Sequence, residues 1–304
     1  MREPLSAYMK VGIVHFMAFP EAASGVGAIA STVERIATDP FFESIEVTWV
    51  QDPQERARVS RVIQQSRLAA GFGAQPVQLA GKLDINTSDA QARLDAVERL
   101  KGLIDMAAEM GIHRFALLSG RDPGEAGREE AVRHLIDSLH RLCEHAASHG
   151  TTVILETFDR TVDKKALVGP AREAAAIAEK VRERYPNFGL MLDLSHLPLQ
   201  DERPLEALSA VREHVVHIHI GNCVKDPSSP LYGDLHPRFG VPGGEVDVPE
   251  VVEFLDALFK IGYLGDGRSE RPIVAFEIKP HGDETSETVI ANAKRTLVEA
   301  WSRL

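Results

Sequence analysis

Cysteine is scarce in this chain: Cys143 and Cys223 are the only two among 304 residues, and they form no C-x-x-C pair. A disulfide framework is therefore excluded as the basis of the fold. None is needed, because a domain of this length buries roughly 75% of the surface its unfolded chain exposes. Cys143 falls within a helical pattern and reads as a small core residue, and usage this sparse fits a reducing compartment. Basic charge is in deficit as well, with 34 Lys and Arg against 45 Asp and Glu for a net charge of −11. Phosphate backbones need a concentrated basic surface, so the balance argues against nucleic acid as a partner. No apolar run approaches the ~18 residues that span a bilayer. The opening MREPLSAYMKVGIVHF lacks an uninterrupted apolar segment followed by a small-residue cleavage site. A phosphate-cradling GxxxxGK loop is missing too. The expectation is a cytoplasmic protein with no membrane and no nucleic-acid partner.

What is present is alternation. Short β-type runs fall at 11–16, 45–50, 76–80, 114–119, 152–157, 189–194, 214–220 and 273–279, most of them rich in β-branched residues, as expected of strands covered on both faces. Amphipathic stretches separate them at 25–38, 54–72, 88–111, 125–149, 169–184, 203–212, 247–261 and 284–303. In the third of these, Leu94, Val97, Leu100, Ile104 and Ala107 recur at steps of three or four before Gly111. Eight βα units without a linker or composition break predict an α/β fold, a single (β/α)8 TIM barrel over residues 1–304. The longest irregular stretch, 221–246, is rich in Gly and Pro and is expected to be functional.

Catalytic groups of such a barrel sit at the C-terminal ends of its strands. The fifth predicted strand ends in Glu156, the sixth in Asp193 with His196 three residues on, the seventh carries His217 and His219, and the eighth ends in Glu277 followed by Lys279. A carboxylate inside an apolar run is costly unless it is paired or bound to a cation. Any one of these would more often be a salt-bridge partner or a hydrogen-bonded core histidine, but four successive strands carry such a group at the same end. Two Glu, one Asp and one His make an oxygen-rich shell suited to a divalent metal, Mn²⁺ foremost, with Mg²⁺, Co²⁺ or Zn²⁺ as alternatives. Period-two alternation turns His217 and His219 to the same side, so spacing does not choose between them.

The segments LETFDR (155–160), MLDLSH (191–196), HIHIGN (217–222), PGGEVD (242–247) and AFEIK (275–279) resemble the xylose isomerase-like TIM barrels, the sugar phosphate isomerase/epimerase superfamily that includes ketose 3-epimerases. The resemblance implies Glu156, Asp193, His219 and Glu277 as metal ligands and His196 as a substrate contact. It implies no organic cofactor. The pattern departs from the ketose 3-epimerases at Asn222 and Lys225, where those enzymes have Glu and a substrate-binding Arg, and at Val162, where they have a second Glu.

The chemistry this implies is proton transfer on a carbohydrate through a metal-stabilised enediolate, with Glu156 and Glu277 as the acid/base pair and His196 at a substrate oxygen. Further candidate substrate contacts are Lys225, Arg160, His15, Trp49 and His236. Arg160 has the competing reading of an ion pair with Asp159 or Asp163, and Trp49 that of a core residue. The segment 232–240, with Tyr232, His236 and Arg238, is expected to act as a lid, with a second acid/base group or a simply packed loop as the competing readings. The alternatives are a lyase or dehydratase that β-eliminates a group from a 3-oxo-glycoside or keto-inositol, a nuclease, and a non-catalytic binding subunit. The partner expected is a small carbohydrate; a homo-oligomer or a complex with a second subunit stays open.

Overall fold

The computed structural model describes residues 3–266 and 270–304. Within them lie eight short strands: β1 (Lys10–Ile13), β2 (Ser44–Val47), β3 (Ala69–Gly73), β4 (Arg114–Leu118), β5 (Thr152–Glu156), β6 (Phe188–Asp193), β7 (Val215–Gly221) and β8 (Ile273–Glu277). They pair in parallel in the order β1-β8-β7-β6-β5-β4-β3-β2. A Val14–Glu46 bridge, with the Glu43 N–H donating to the Val11 carbonyl at 2.8 Å, brings β2 back against β1. The sheet is a nearly closed TIM barrel.

Eleven α-helices among the described residues surround it or cross its ends: α1 (His15–Ala18), α2 (Ile29–Ala37), α3 (Pro53–Ser66), α4 (Gln75–Gly81), α5 (Ala90–Glu109), α6 (Glu125–Ala147), α7 (Ala171–Arg182), α8 (His196–Leu199), α9 (Pro204–Val211), α10 (Val248–Lys260) and α11 (Ser286–Ser302). Their starts follow from capping chemistry. The Asp89 carboxylate accepts the N–H groups of Gln91 and Ala92 at 3.0 Å ahead of α5, and Asp247 with Glu250 forms a capping box at α10. The buried stripes of the helices and the outward faces of the strands make one continuous apolar layer. Among the described residues no helix is long and apolar enough to cross a membrane.

Seven of the expected strands fall within a few residues of the observed ones, and the third does not. Residues 76–80 lie in α4, while β3 occupies 69–73, which the periodicity had assigned to the end of the helix before it. Its sequence, AAGFG, has no β-branched residue because the barrel interior at that height is already filled: a Cβ on Gly71 would meet Cγ of Glu46, its partner on β2, at 2.9 Å. Leu94, expected on the buried stripe of α5, is exposed instead, whereas Val97, Leu100, Ile104 and Ala107 are buried.

Alternation along the strands sets the interior in layers. Ala116, Ile154 and Met191 form an apolar plug in the barrel. Two residues further along β5 and β6, on the same faces, stand Glu156 and Asp193. His219 follows His217 by the same step, and Glu277 follows Ala275.

Candidate metal centre and active site

Four side chains meet at the C-terminal end of the barrel. Donor atoms of Glu156, Asp193, His219 and Glu277 all lie within 4.8 Å of one another, and all four residues are buried. His219 Nδ1 is 2.6 Å from Glu277 Oε2 and 3.6 Å from Glu156 Oε1. Oε1 of Glu156 and Oδ2 of Asp193 have no hydrogen-bond partner. Buried, unpartnered carboxylate oxygens are expensive, so this group is built for a positive charge at its centre. The same demand appears in the titration of its members. Burial opposes a charge on His219, yet Glu46 and Glu277 hold its pKa well above the ordinary value. Burial raises the Asp193 carboxyl, against His196 and with Glu277.

The ligand-type atoms are held from behind. The Gln75 amide, one residue past the β3–α4 junction, donates to Glu156 Oε2 at 2.7 Å. The Ser195 N–H donates to Asp193 Oδ1 at 2.7 Å. Glu46 lies beneath, its Oε1 2.9 Å from His219 Nε2 and 2.8 Å from His217 Nε2. Arg114 Nη2 stands 3.3 Å from His217 Nδ1. A guanidinium only donates, so His217 accepts there and offers its Nε2–H to Glu46. Burial, the largest influence, lowers the His217 pKa in keeping with that neutral form. For Glu46 burial alone would raise the pKa, but the two imidazoles outweigh it and hold the carboxylate below its ordinary range. With Nε2–H of His219 given to Glu46, Nδ1 is the nitrogen turned toward the carboxylates, where it carries a proton toward Glu277 that a bound cation would replace. A carboxylate behind an imidazole is the arrangement that orients a histidine for a metal ion, and His219, not His217, lies in the four-residue group whose donors could hold one.

A second polar layer covers the first. His196, from α8, sends Nδ1 to the Thr157 carbonyl at 2.6 Å and has Nε2 3.1 Å from Asp234 Oδ1. His236 Nε2 is 2.9 Å from the same Asp234 oxygen and 3.5 Å from Glu277 Oε1. Lys164 Nζ reaches Asp234 Oδ2 at 3.0 Å. Asp193, His196 and His236 themselves gather metal-type donors within 4.8 Å, so Asp193 belongs to both groups. Burial disfavours charge on His196 and His236, but Asp234 prevails and raises them to about 10 and about 9. The loop of 222–246 is thus folded down onto the mouth. Asn222 organises it, accepting from the N–H groups of Cys223 (2.9 Å) and Val246 (2.8 Å) and donating to the Arg238 carbonyl (3.0 Å). Gly221 is required where His236 passes, since a Cβ there would meet its Nδ1 at 2.8 Å and the Glu277 carbonyl at 2.8 Å. The expected lid segment is an ordered cover in this structure.

Beside this centre opens a cavity of about 590 Å³. Leu118, in register with Glu156, forms part of its wall, Lys82, Arg121, Lys164 and Lys165 stand there with Asp84 and Asp163, and none of the four clustered side chains lines it.

Other residues expected at the site lie elsewhere or are engaged. Arg160 is bound by Glu173 at 2.6 and 2.9 Å and by the Leu167 carbonyl, not by Asp159 or Asp163. Asp159 instead accepts the N–H groups of Val162, Asp163 and Lys164. Lys225 is exposed and paired with Asp201. Trp49 donates to the Ala23 carbonyl at 3.1 Å, with Arg99 stacked 5.6 Å from its ring. His15 is buried against Thr32 at 2.8 Å, and burial lowers its pKa to about 4. Arg238 pairs with Glu284 at 2.9 Å. Three partners escaped the sequence reading. Glu46 interrupts an apolar strand as Glu156 does, and the same rule would have flagged it; Gln75 and Asp234 sit in segments with no such signal.

The chain matches a model of the xylose isomerase-like TIM barrel over residues 34–289. No curated protein matches it by sequence. Among solved structures it is similar to an L-ribulose 3-epimerase (20% identity, covering 97% of this chain and 96% of that one, TM-score 0.71). It is also similar to the IOLI protein with a bound zinc atom (18%, 97% and 99%, 0.73) and to an AP endonuclease, family 2, from Brucella melitensis (19%, 93% and 96%, 0.63).

Proposed function

Because this chain belongs to the xylose isomerase-like TIM barrel family, we propose that it is a sugar isomerase or epimerase working with a divalent cation held by Glu156, Asp193, His219 and Glu277. The observation that carries this reading is the convergence of one imidazole nitrogen and three buried carboxylates, two of whose oxygens lack partners, at the end of the barrel where such enzymes act. The oxygen-rich set suits Mn²⁺ or Mg²⁺ and admits Co²⁺ or Zn²⁺, and a zinc atom is bound in the IOLI neighbour. Held by these four residues, a cation would supply Lewis acidity toward a substrate carbonyl and would offset the negative charge left when the adjacent C–H loses its proton.

The protein's own groups do the rest. Glu156 comes from β5 and Glu277 from β8, with β6 and β7 between them, so the two carboxylates approach a bound sugar from opposite sides. One removes the proton and the other returns it. Gln75 fixes the direction of Glu156 by holding its second oxygen. His196 and His236, joined through Asp234, offer hydrogen bonds to substrate oxygens while the folded loop keeps bulk water out.

The test is proton–deuterium exchange in D₂O with the Mn²⁺-loaded full chain, on candidate ketoses and 3-oxo-glycosides. Exchange with return of an isomeric sugar is expected, and Glu277→Gln should slow it by about 10²-fold or more. Expulsion of a leaving group in place of isomerisation would make the protein a lyase. Full exchange by Glu277→Gln would remove Glu277 from the proton transfer.

A further inference from the structure

A further set of metal-type donors lies at the far end of the barrel, away from those at the mouth. Asp105 stands near the end of α5, and His145 and His149 are four residues apart at the end of α6. His145 Nε2 is 2.6 Å and His149 Nε2 2.9 Å from the same oxygen, Asp105 Oδ1. The three donor atoms lie within 4.8 Å of one another. The pairing follows from helical geometry, in which residues i and i+4 share a face. The last turn continues past Ala147, with the Ser148 N–H on the His145 carbonyl (3.2 Å) and the His149 N–H on the Ala146 carbonyl (3.0 Å), before Gly150 turns left-handed at φ 64°.

We propose that Asp105, His145 and His149 form a zinc-type cation site that clips the end of α5 to the end of α6. Two imidazole nitrogens and one carboxylate oxygen are three of the four donors that a tetrahedral zinc ion takes, and water completes the set. Bonds of ~2.1 Å in that geometry place donors ~3.4 Å apart, so the contacts of 2.6 and 2.9 Å need only open by less than about 1 Å. The side chains have that freedom, being 52% (Asp105), 29% (His145) and 33% (His149) exposed. The carbonyl end of α6 adds a favourable field for a cation. Imidazole-rich donors select zinc, copper or nickel over magnesium and manganese, which separates this site chemically from the carboxylate-rich group at the mouth. It is separate in space as well: α6 leads into Thr152 at the start of β5, and Glu156 ends that strand four residues, ~13 Å, further on. Binding at the closed end of a barrel braces the scaffold and leaves the chemistry alone.

The experiment is zinc titration of the chelator-stripped full-length protein, with free zinc held on the order of 1 µM. Two ions per chain are expected, one of them lost in both His145→Ala and His149→Ala but retained in His219→Ala. Manganese should fill only the position that His219→Ala removes. A single ion lost in His149→Ala and kept in His219→Ala would uphold this site while counting against the one at the mouth. Unchanged stoichiometry and affinity in His145→Ala and His149→Ala would overturn the proposal.

Discussion

Glu46 touches none of the open space at the mouth, yet it decides how His219 presents itself. Its carboxylate accepts from His217 and His219 together, and both imidazoles are buried, so neither ring has water as an alternative partner. Carboxylates behind metal-binding histidines fix the tautomer and ring direction and strengthen the ligand, and their loss typically weakens metal affinity by roughly 10–100-fold. Glu46→Gln is nearly isosteric and should keep the barrel folded while lowering divalent-cation affinity by about that factor, as measured by competition with a chromogenic chelator. Unaltered affinity would reduce Glu46 to a filler of the barrel interior. At the same scale Asn222 and Arg160 show how a polar residue near a site can be consumed by structure: one is spent on three bonds within its loop, the other on Glu173 and a carbonyl.

Among the elements, β3 is the one whose character is imposed from outside. Its strand neighbour on β2 sends Glu46 across the interior, and Phe16 with Gln75 occupies the space beside Gly73, where a Cβ would meet them at 2.7 and 2.8 Å. Small residues are therefore obligatory, and β-propensity yields to packing. Gly71→Val should destabilise the protein by about 1–3 kcal/mol through overpacking and weaken cation binding by displacing Glu46. Ala69→Val, at the half-buried start of the same strand, should change stability by about 0.5 kcal/mol or less. Chemical denaturation of both variants distinguishes the two positions, and equal effects would mean that strand propensity, not the Glu46 contact, sets the sequence of β3. The loop of 222–246 illustrates the opposite case, an irregular segment whose fixed shape comes from Asn222, from the bridges of Val224 to Gly233 and Gly244, and from the close passage of His236 over Gly221.

For the molecule as a whole, a net charge of −11 is the dominant electrostatic fact. Local cations at the cavity beside Glu156 do not reverse it, and a DNA duplex containing an abasic site should show no retardation with this protein at about 0.15 M salt, where screening leaves only concentrated basic surfaces effective. Specific retention of that duplex would favour nuclease chemistry over proton transfer. The barrel and the three carboxylates at its mouth were legible in the sequence, because burial on both faces writes continuous apolar runs and a carboxylate ending such a run stands out; His219 was set apart from His217 there only by the family resemblance. The sequence did not reveal β3, whose residues are dictated by a side chain on another strand, nor Gln75 and Asp234, which lie in segments with no periodicity to violate. Composition and alternation, local properties of the chain, determined the architecture and the donor types. Which histidine joins the cluster, which carboxylate orients it and which helix ends face one another were decided by contacts between residues as much as 173 positions apart, and such contacts exist only once the barrel has closed.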